Sequence, residues 1–333
     1  MNNFYNREIE TALGIEIKEI QYKKLKDLLN KVYKKNSFYR GKFDEQGVSP
    51  GDIECIADLK KLPFTETKEF QEDQQKTVYG TNLSEPLQNY VHLRQKIDPG
   101  QPLNWLDTHE SWEWRGGCVA HALRAAGIDE RDVLFLPFAV DSFGTLSGAY
   151  RAAQQIGVLT IPNVEWTIEQ QIDKLMVNQA TVLVITPNYA MQMLRKSQDL
   201  EINLAKSRVR AIILAGEVSR ILAEEKEQLR NSWQALIYEY FELIEAGVYA
   251  YQCSENRTHL MESEFIAEII NHENGKETPS KGMGELVLTN LGRSCSPAIR
   301  LRTGISVKLG NGPCDCGRTF QILEKSTSFD SNF

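Results

Sequence analysis

With 333 residues, 25% of them charged and 41% hydrophobic, the chain is long enough for one large domain or two ordinary ones at roughly 150 residues each. Its composition is that of a soluble globular protein, which excludes a disulfide-knit miniprotein, a disordered chain and a membrane-embedded one. The net charge of −7 argues against a nucleic-acid partner held through its phosphates.

No apolar run approaches the ~20 residues of a membrane span. The start, MNNFYNREIE, has neither a basic nor an apolar leader segment, so a cytoplasmic protein with no membrane partner is expected. Ile17, Ile20, Leu25, Leu28, Leu29 and Val32 recur at helical spacing and predict an amphipathic helix over residues 15–35 with a solvated lysine face. Pro-flanked turns follow at Ser49-Pro50 and Leu62-Pro63, and residues 104–127 are expected to be helical up to Gly127. Strand-like runs at 133–137, 158–162, 182–186, 209–215 and 236–241 then alternate with helical stretches at 142–156, 166–178, 188–197 and 219–231. This is the rhythm of βαβ units around a mainly parallel sheet. Ligands of such sheets sit beyond the carboxyl ends of the strands, which directs attention to the loops after Phe138, Ala215 and Tyr240. Past residue 255 the strands shorten and turn signals such as Asn274-Gly275 multiply, predicting a β-rich subdomain. The expected division is an α/β part over 1–250 and the β-rich part over 251–333.

Six stretches, in order, resemble the phenylacetate-CoA ligase family, adenylate-forming enzymes that activate a carboxylate with ATP and pass it to a thiol. They are residues Asn36 to Asp44 (NSFYRGKFD), Leu59 to Thr65 (LKKLPFT), Glu245-Ala246-Gly247, Gly284 to Thr289 (GELVLT), Ile299 to Gly304 (IRLRTG) and Cys314 to Arg318 (CDCGR). The resemblance implies the large N-terminal part of an adenylate-forming enzyme, with parallel-rich sheets and helices plus a β-rich subdomain. Departures from the family bear on the nucleotide. Its Ser/Thr/Gly-rich phosphate loop corresponds here to Gln95 to Pro102 (QKIDPGQP). That stretch has no hydroxyl, Pro99 offers no N–H, and Asp98 repels a triphosphate. The Asp that follows Arg-Thr-Gly and accepts the ribose hydroxyls is replaced by Ile305, which can accept no hydrogen bond. The family's Tyr-Gly-x-Thr/Ser-Glu becomes Phe241-Glu242-Leu243-Ile244-Glu245, so Glu242 and Ile244 fill space otherwise left for AMP. The family's lysine-bearing C-terminal domain is expected to be absent, since Phe333 falls near its hinge.

By the same resemblance, Phe138, Phe143, Gly216, Glu217, Tyr240 and Phe241 are the substrate-binding candidates; Phe138, Asp141, Phe143, Gly216, Glu217, Tyr240 and Glu245 are expected to converge on one cavity, since their loops succeed strands of one sheet. Asp141 and Glu245 are the acid/base candidates. Glu245 matches the magnesium-binding glutamate, but is equally read as a relic or as a carboxylate at a helix N-terminus; Asp141 is equally a helix N-cap, and the two phenylalanines are equally core residues. Cys253, His259, Cys314 and Cys316 have the donor composition of a closed tetrahedral structural zinc site, set against four ordinary loop residues. Zinc is therefore expected as a structural cofactor, and ATP with magnesium is not. Cys295, between two serines, has no base identifiable in the sequence.

These readings predict a protein that binds an acyl or aryl small molecule, free or bound to CoA or a carrier-protein thiol, and that performs ATP-independent chemistry in a biosynthetic pathway. Two alternatives stay open: a non-catalytic pseudo-ligase holding an intermediate or partner enzyme, and a ligase completed by a C-terminal domain in trans. A homodimer is likewise open.

Overall fold

The lysine-rich stretch with its apolar stripe folds as predicted, into a helix over Gly14–Lys35 that buries Leu25, Leu28, Leu29 and Val32. The computed structural model describes residues 3–96, 102–137, 144–162, 165–216, 221–272, 274–278, 282–310 and 312–325. The chain divides into two units: Met1–Asn6 with Arg115–Leu243 and Val248–Asn256, and Arg7–Trp114 with Ile244–Gly247 and Arg257–Phe333.

The second of these contains α1 (Arg7–Glu10), α2 (Gly14–Lys35), α3 (Ser37–Gln46), α4 (Thr67–Lys76) and the hairpin β1 (Tyr90–Lys96) and β2 (Leu103–Thr108). Asn36 ends α2 and caps α3, accepting the Tyr39 N–H at 3.1 Å. The expected helix from residue 104 is corrected: residues 103–108 form a strand antiparallel to β1, with Arg94 opposite Trp105 and Lys96 opposite Leu103. Helix α5 (His109–Ala125) begins only after it. Leu103 and Trp105 are buried on one face of that strand, and Asp107 is buried against Arg94. Pairing with β1 and the buried Arg94–Asp107 ion pair hold this stretch extended.

The first unit follows the predicted alternation through β3 (Val133–Leu136), α6 (Gly144–Ile156), β4 (Leu159–Pro162), α7 (Ile168–Val177), β5 (Val182–Ile185), α8 (Pro187–Asp199), β6 (Ala211–Gly216), α9 (Ala223–Trp233) and β7 (Leu236–Leu243), and a further strand, β8 (Gly247–Gln252), lies beyond that alternation. Its strands are ordered β4-β3-β5-β6-β7-β8 and run parallel from β4 to β7. All four residues of β5 are buried, as expected of a strand covered on both faces. Thr167 and Gln170 start α7 with a reciprocal capping box, and Pro187 occupies the first turn of α8. The fold is thus mixed α/β with a parallel-rich sheet.

Back in the second unit come β9 (Thr258–Leu260), β10 (Phe265–Ile270), β11 (Gly284–Asn290), β12 (Leu301–Leu309) and β13 (Leu323–Lys325), of which β10-β11-β12-β13 form an antiparallel sheet. Trp114 explains two of the unit's glycines. A Cβ on Gly292 would stand 2.0 Å from the indole Nε1, and one on Gly247, whose φ is 99°, would stand 3.0 Å from the ring. The indole N–H meanwhile donates to Glu264 Oε2 at 2.8 Å. No helix among the described residues is long and apolar enough to cross a membrane.

Candidate functional site

In the first unit, the carboxyl ends of β6 and β7 bring predicted residues together. Gly216 lies opposite Phe241, and Ala215 opposite Tyr240. Tyr240 and Phe241 are both buried. Successive strand residues point to opposite faces, so Tyr240 shares its face with Glu242. Burial first, and the negative charge of Glu242 second, push the Tyr240 phenol up from its ordinary value, against the pull of Arg115. The predicted residues Phe138, Asp141, Phe143 and Glu217 lie outside the described residues.

Glu242 is only 2% exposed, and a carboxylate so placed must be paired. Its partner is Arg115 on α5, whose Nε and Nη2 both approach Glu242 Oε1 at 2.7 Å. Arg115 Nη1 also donates to Ser147 Oγ on α6 at 3.2 Å. Gly148 makes room for this guanidinium, since a Cβ there would lie 2.8 Å from Nη1. Three elements and one glycine therefore build a buried ion pair at the end of β7.

Glu245 belongs to the second unit, in the turn before β8. It is buried, and its Oε1 accepts a hydrogen bond from Thr67 Oγ1 at 3.2 Å. Thr67 is the first residue of α4, so the carboxylate stands at a helix N-terminus belonging to another segment. Ile305 lies where β12 departs from regular pairing: Glu285 faces Ser306 and Val287 faces Arg302, leaving three residues of β12 against one of β11. Gly304 takes φ 68° in this bulge. Glu285 secures it, accepting from Arg302 Nε at 3.0 Å, Arg302 Nη2 at 2.5 Å and the Gly304 N–H at 3.1 Å. Of the stretch matched to the phosphate loop, residues 97–101 lie outside the described residues. Gln95 donates to Asn104 Oδ1 across the hairpin at 2.9 Å.

Of the predicted metal ligands, His259, Cys314 and Cys316 belong to the second unit and Cys253 to the first; Cys253, His259 and Cys314 are buried. Within the second unit, His259 Nδ1 donates to the Phe320 carbonyl at 3.0 Å, so the ring's lone pair is on Nε2, 3.4 Å from Cys316 Sγ. Metal–ligand bonds of 2.0–2.3 Å in a tetrahedron give ligand–ligand edges of about 3.3–3.8 Å, and this pair falls within them. Three thiols and an imidazole are the donor set of a metal site.

Sequence reasoning missed Arg115, and with it Arg94, Asp107 and Arg293, all buried. A glutamate inside an apolar strand signals that a cation must meet it, but nothing in the sequence marks which of the 38 basic residues does so. Cys295 proves buried, its thiol 3.2 Å from Ser111 Oγ.

No family model matches the chain. It is 25% identical over 318 residues to the phenylacetate-coenzyme A ligase of Thermus thermophilus, covering 95% of this chain and 71% of that one. It is 26% identical over 300 residues to the Escherichia coli enzyme of the same name, covering 89% and 68%. Among solved structures it superposes on a 2-hydroxyisobutyryl-CoA ligase in complex with 2-HIB-AMP and CoA with a TM-score of 0.89 at 18% identity, covering 96% of this chain and 76% of that one. A long-chain-fatty-acid-CoA ligase from Archaeoglobus fulgidus aligns more loosely, with a TM-score of 0.53 at 13% identity over 70% of this chain and 50% of that one. The chain is thus similar to the phenylacetate-coenzyme A ligases along most of its own length and roughly 70% of theirs, and it has the fold of the adenylate-forming CoA ligases.

Proposed function

We propose that this protein binds an acyl or aryl group, presented as a thioester of CoA or of a carrier-protein thiol, and acts on it without ATP. The observation that carries the reading is the Arg115–Glu242 pair. A buried ion pair with its own hydroxyl partner and its own glycine clearance is a built feature that a nucleotide could displace only by leaving an unpaired charge behind. Ile305 in place of a ribose-binding carboxylate, and Asp98 with Pro99 in place of hydroxyls and N–H donors, act in the same direction. The acyl and CoA part of the proposal draws on the relatives' name and on the ligands of the structural neighbour. Gly216, Tyr240 and Phe241, together with Phe138, Phe143 and Glu217, are the proposed substrate contacts; Asp141 and Glu245 are the proposed acid and base. The burial of Glu245 and its bond from Thr67 favour, as the second reading, a binder without turnover.

We further assign zinc to the Cys253, His259, Cys314 and Cys316 group, held by three thiolates and the His259 Nε2. With four protein ligands no position is left for water, so bound zinc supplies cross-linking and no chemistry.

Calorimetry with phenylacetyl-CoA and no nucleotide tests the proposal. Saturable binding tighter than about 1 mM is expected. Conversion of the bound thioester that is lost in Asp141→Asn or Glu245→Gln with the fold intact supports catalysis, and binding without conversion supports the second reading. No thioester binding, together with pyrophosphate release from ATP, contradicts both.

A further inference from the structure

We infer that Arg94, Asp107 and Arg293 form a charge bridge that fixes the Ile244–Glu245 turn in the absence of any ligand, making all three positioning residues for Glu245. Asp107 and Arg293 are fully buried and Arg94 is nearly so. Arg94 Nε donates to Asp107 Oδ2 at 3.0 Å, and Arg293 Nε donates to Asp107 Oδ1 at 2.8 Å. Ser111 Oγ adds a third bond to the same carboxylate at 3.0 Å. Both guanidiniums then reach onward to one place: Arg94 Nη2 and Arg293 Nη1 each donate to the Ile244 carbonyl at 3.1 Å, and Arg293 Nη1 also meets the Glu245 carbonyl at 3.4 Å. Asn290 Nδ2 takes the next carbonyl, that of Ala246, at 3.1 Å. Three successive turn carbonyls are thus each held by a side chain from elsewhere in the unit.

The placement of these residues gives the bridge its meaning. Arg94 and Asp107 stand on the two strands flanking residues 97–101, the stretch matched to the phosphate loop, while Ile244 and Glu245 end the stretch matched to the AMP and magnesium motif. The protein's own charges therefore join two elements that a nucleotide would otherwise contact together. Arginine suits this, because its planar fork spreads separate donors toward a carboxylate on one side and backbone carbonyls on the other, a reach that the single nitrogen of a lysine does not reproduce.

The inference rests on the proposed loss of nucleotide use only for its meaning, and its test is independent of it. Hydrogen–deuterium exchange on the whole chain should show amides 244–247 of Arg293→Lys exchanging at least 10-fold faster than in wild type, with the strands β3 to β6 unchanged. Unchanged exchange at 244–247, or a uniform rise throughout the chain, would overturn the bridge. Asp107→Asn removes the carboxylate charge that both guanidiniums share, and adding Arg94→Met removes one of the two cations that met it. The double variant should recover at least half of the single variant's loss in Tm, whereas additive losses would show that the shared carboxylate is not what couples the residues. Protection of the turn in wild type by ATP with magnesium would count against the proposed function and leave the Arg293→Lys result standing.

Discussion

Replacing Glu242 by alanine is expected to lower the stability of the protein by about 3–5 kcal/mol, the range for removing one partner of a buried ion pair. The lost methylenes are a minor part of this. The larger part is Arg115, nearly inaccessible to water, which loses the carboxylate that both its Nε and its Nη2 approach. Desolvating a guanidinium is the dominant cost, so Glu242→Gln, which keeps the volume and one acceptor, should fall between wild type and alanine. The double variant Arg115→Met with Glu242→Met should be near neutral or more stable than wild type, since an apolar replacement removes both desolvation penalties at once. Urea denaturation of the four proteins measures this. A loss below about 1 kcal/mol for the alanine variant, within the range of an exposed pair, would mean that the pair is not the buried unit described above.

Removal of the metal should have the other large effect. Elemental analysis of the purified protein is expected to give near one zinc per chain. Cys314→Ser should lower that content, because one of the three thiolates is gone and a hydroxyl is a poor zinc ligand at neutral pH. Structural zinc contributes roughly 10–16 kcal/mol in small peptides that have no other core. This chain has an extensive core, so the expected loss is a fraction of that; a loss of about 3 kcal/mol would lower Tm by roughly 6–12 °C. His259 should be as sensitive as the cysteines, since its Nδ1 bond to the Phe320 carbonyl fixes the tautomer that presents Nε2. Protein purified without metal, with the Tm of Cys314→Ser unchanged, would contradict the assignment.

How far the sequence reached depended on the length scale of the signal. The parallel strands were legible because each is a short, nearly all-apolar run between turn residues, and β5 with its four buried residues shows why that pattern is reliable. Residues 103–108 were read as helix because strand β2 carries apolar residues on both faces, with Leu106 as well as Leu103 and Trp105 buried, which erases the period of two. The Cys/His group stood out in the sequence by its residue chemistry together with the family resemblance. The partners of Glu242 and Asp107 were not, because Arg115 is 127 residues from Glu242 and Arg293 is 186 residues from Asp107. Long-range pairing of single charges leaves no local pattern. The Thr67 bond to Glu245, across 178 residues, was hidden for the same reason.

The central claim, that the nucleotide site has been given over to the protein's own charges, is tested most directly by titrating the purified chain with ATP and magnesium in a calorimeter. The expected result is no binding tighter than about 1 mM, equivalent to about −4 kcal/mol, because Glu242 with Arg115 fills the place of a small residue and Ile305 offers the ribose no acceptor. Micromolar affinity for ATP, or pyrophosphate exchange with any carboxylate, would contradict it.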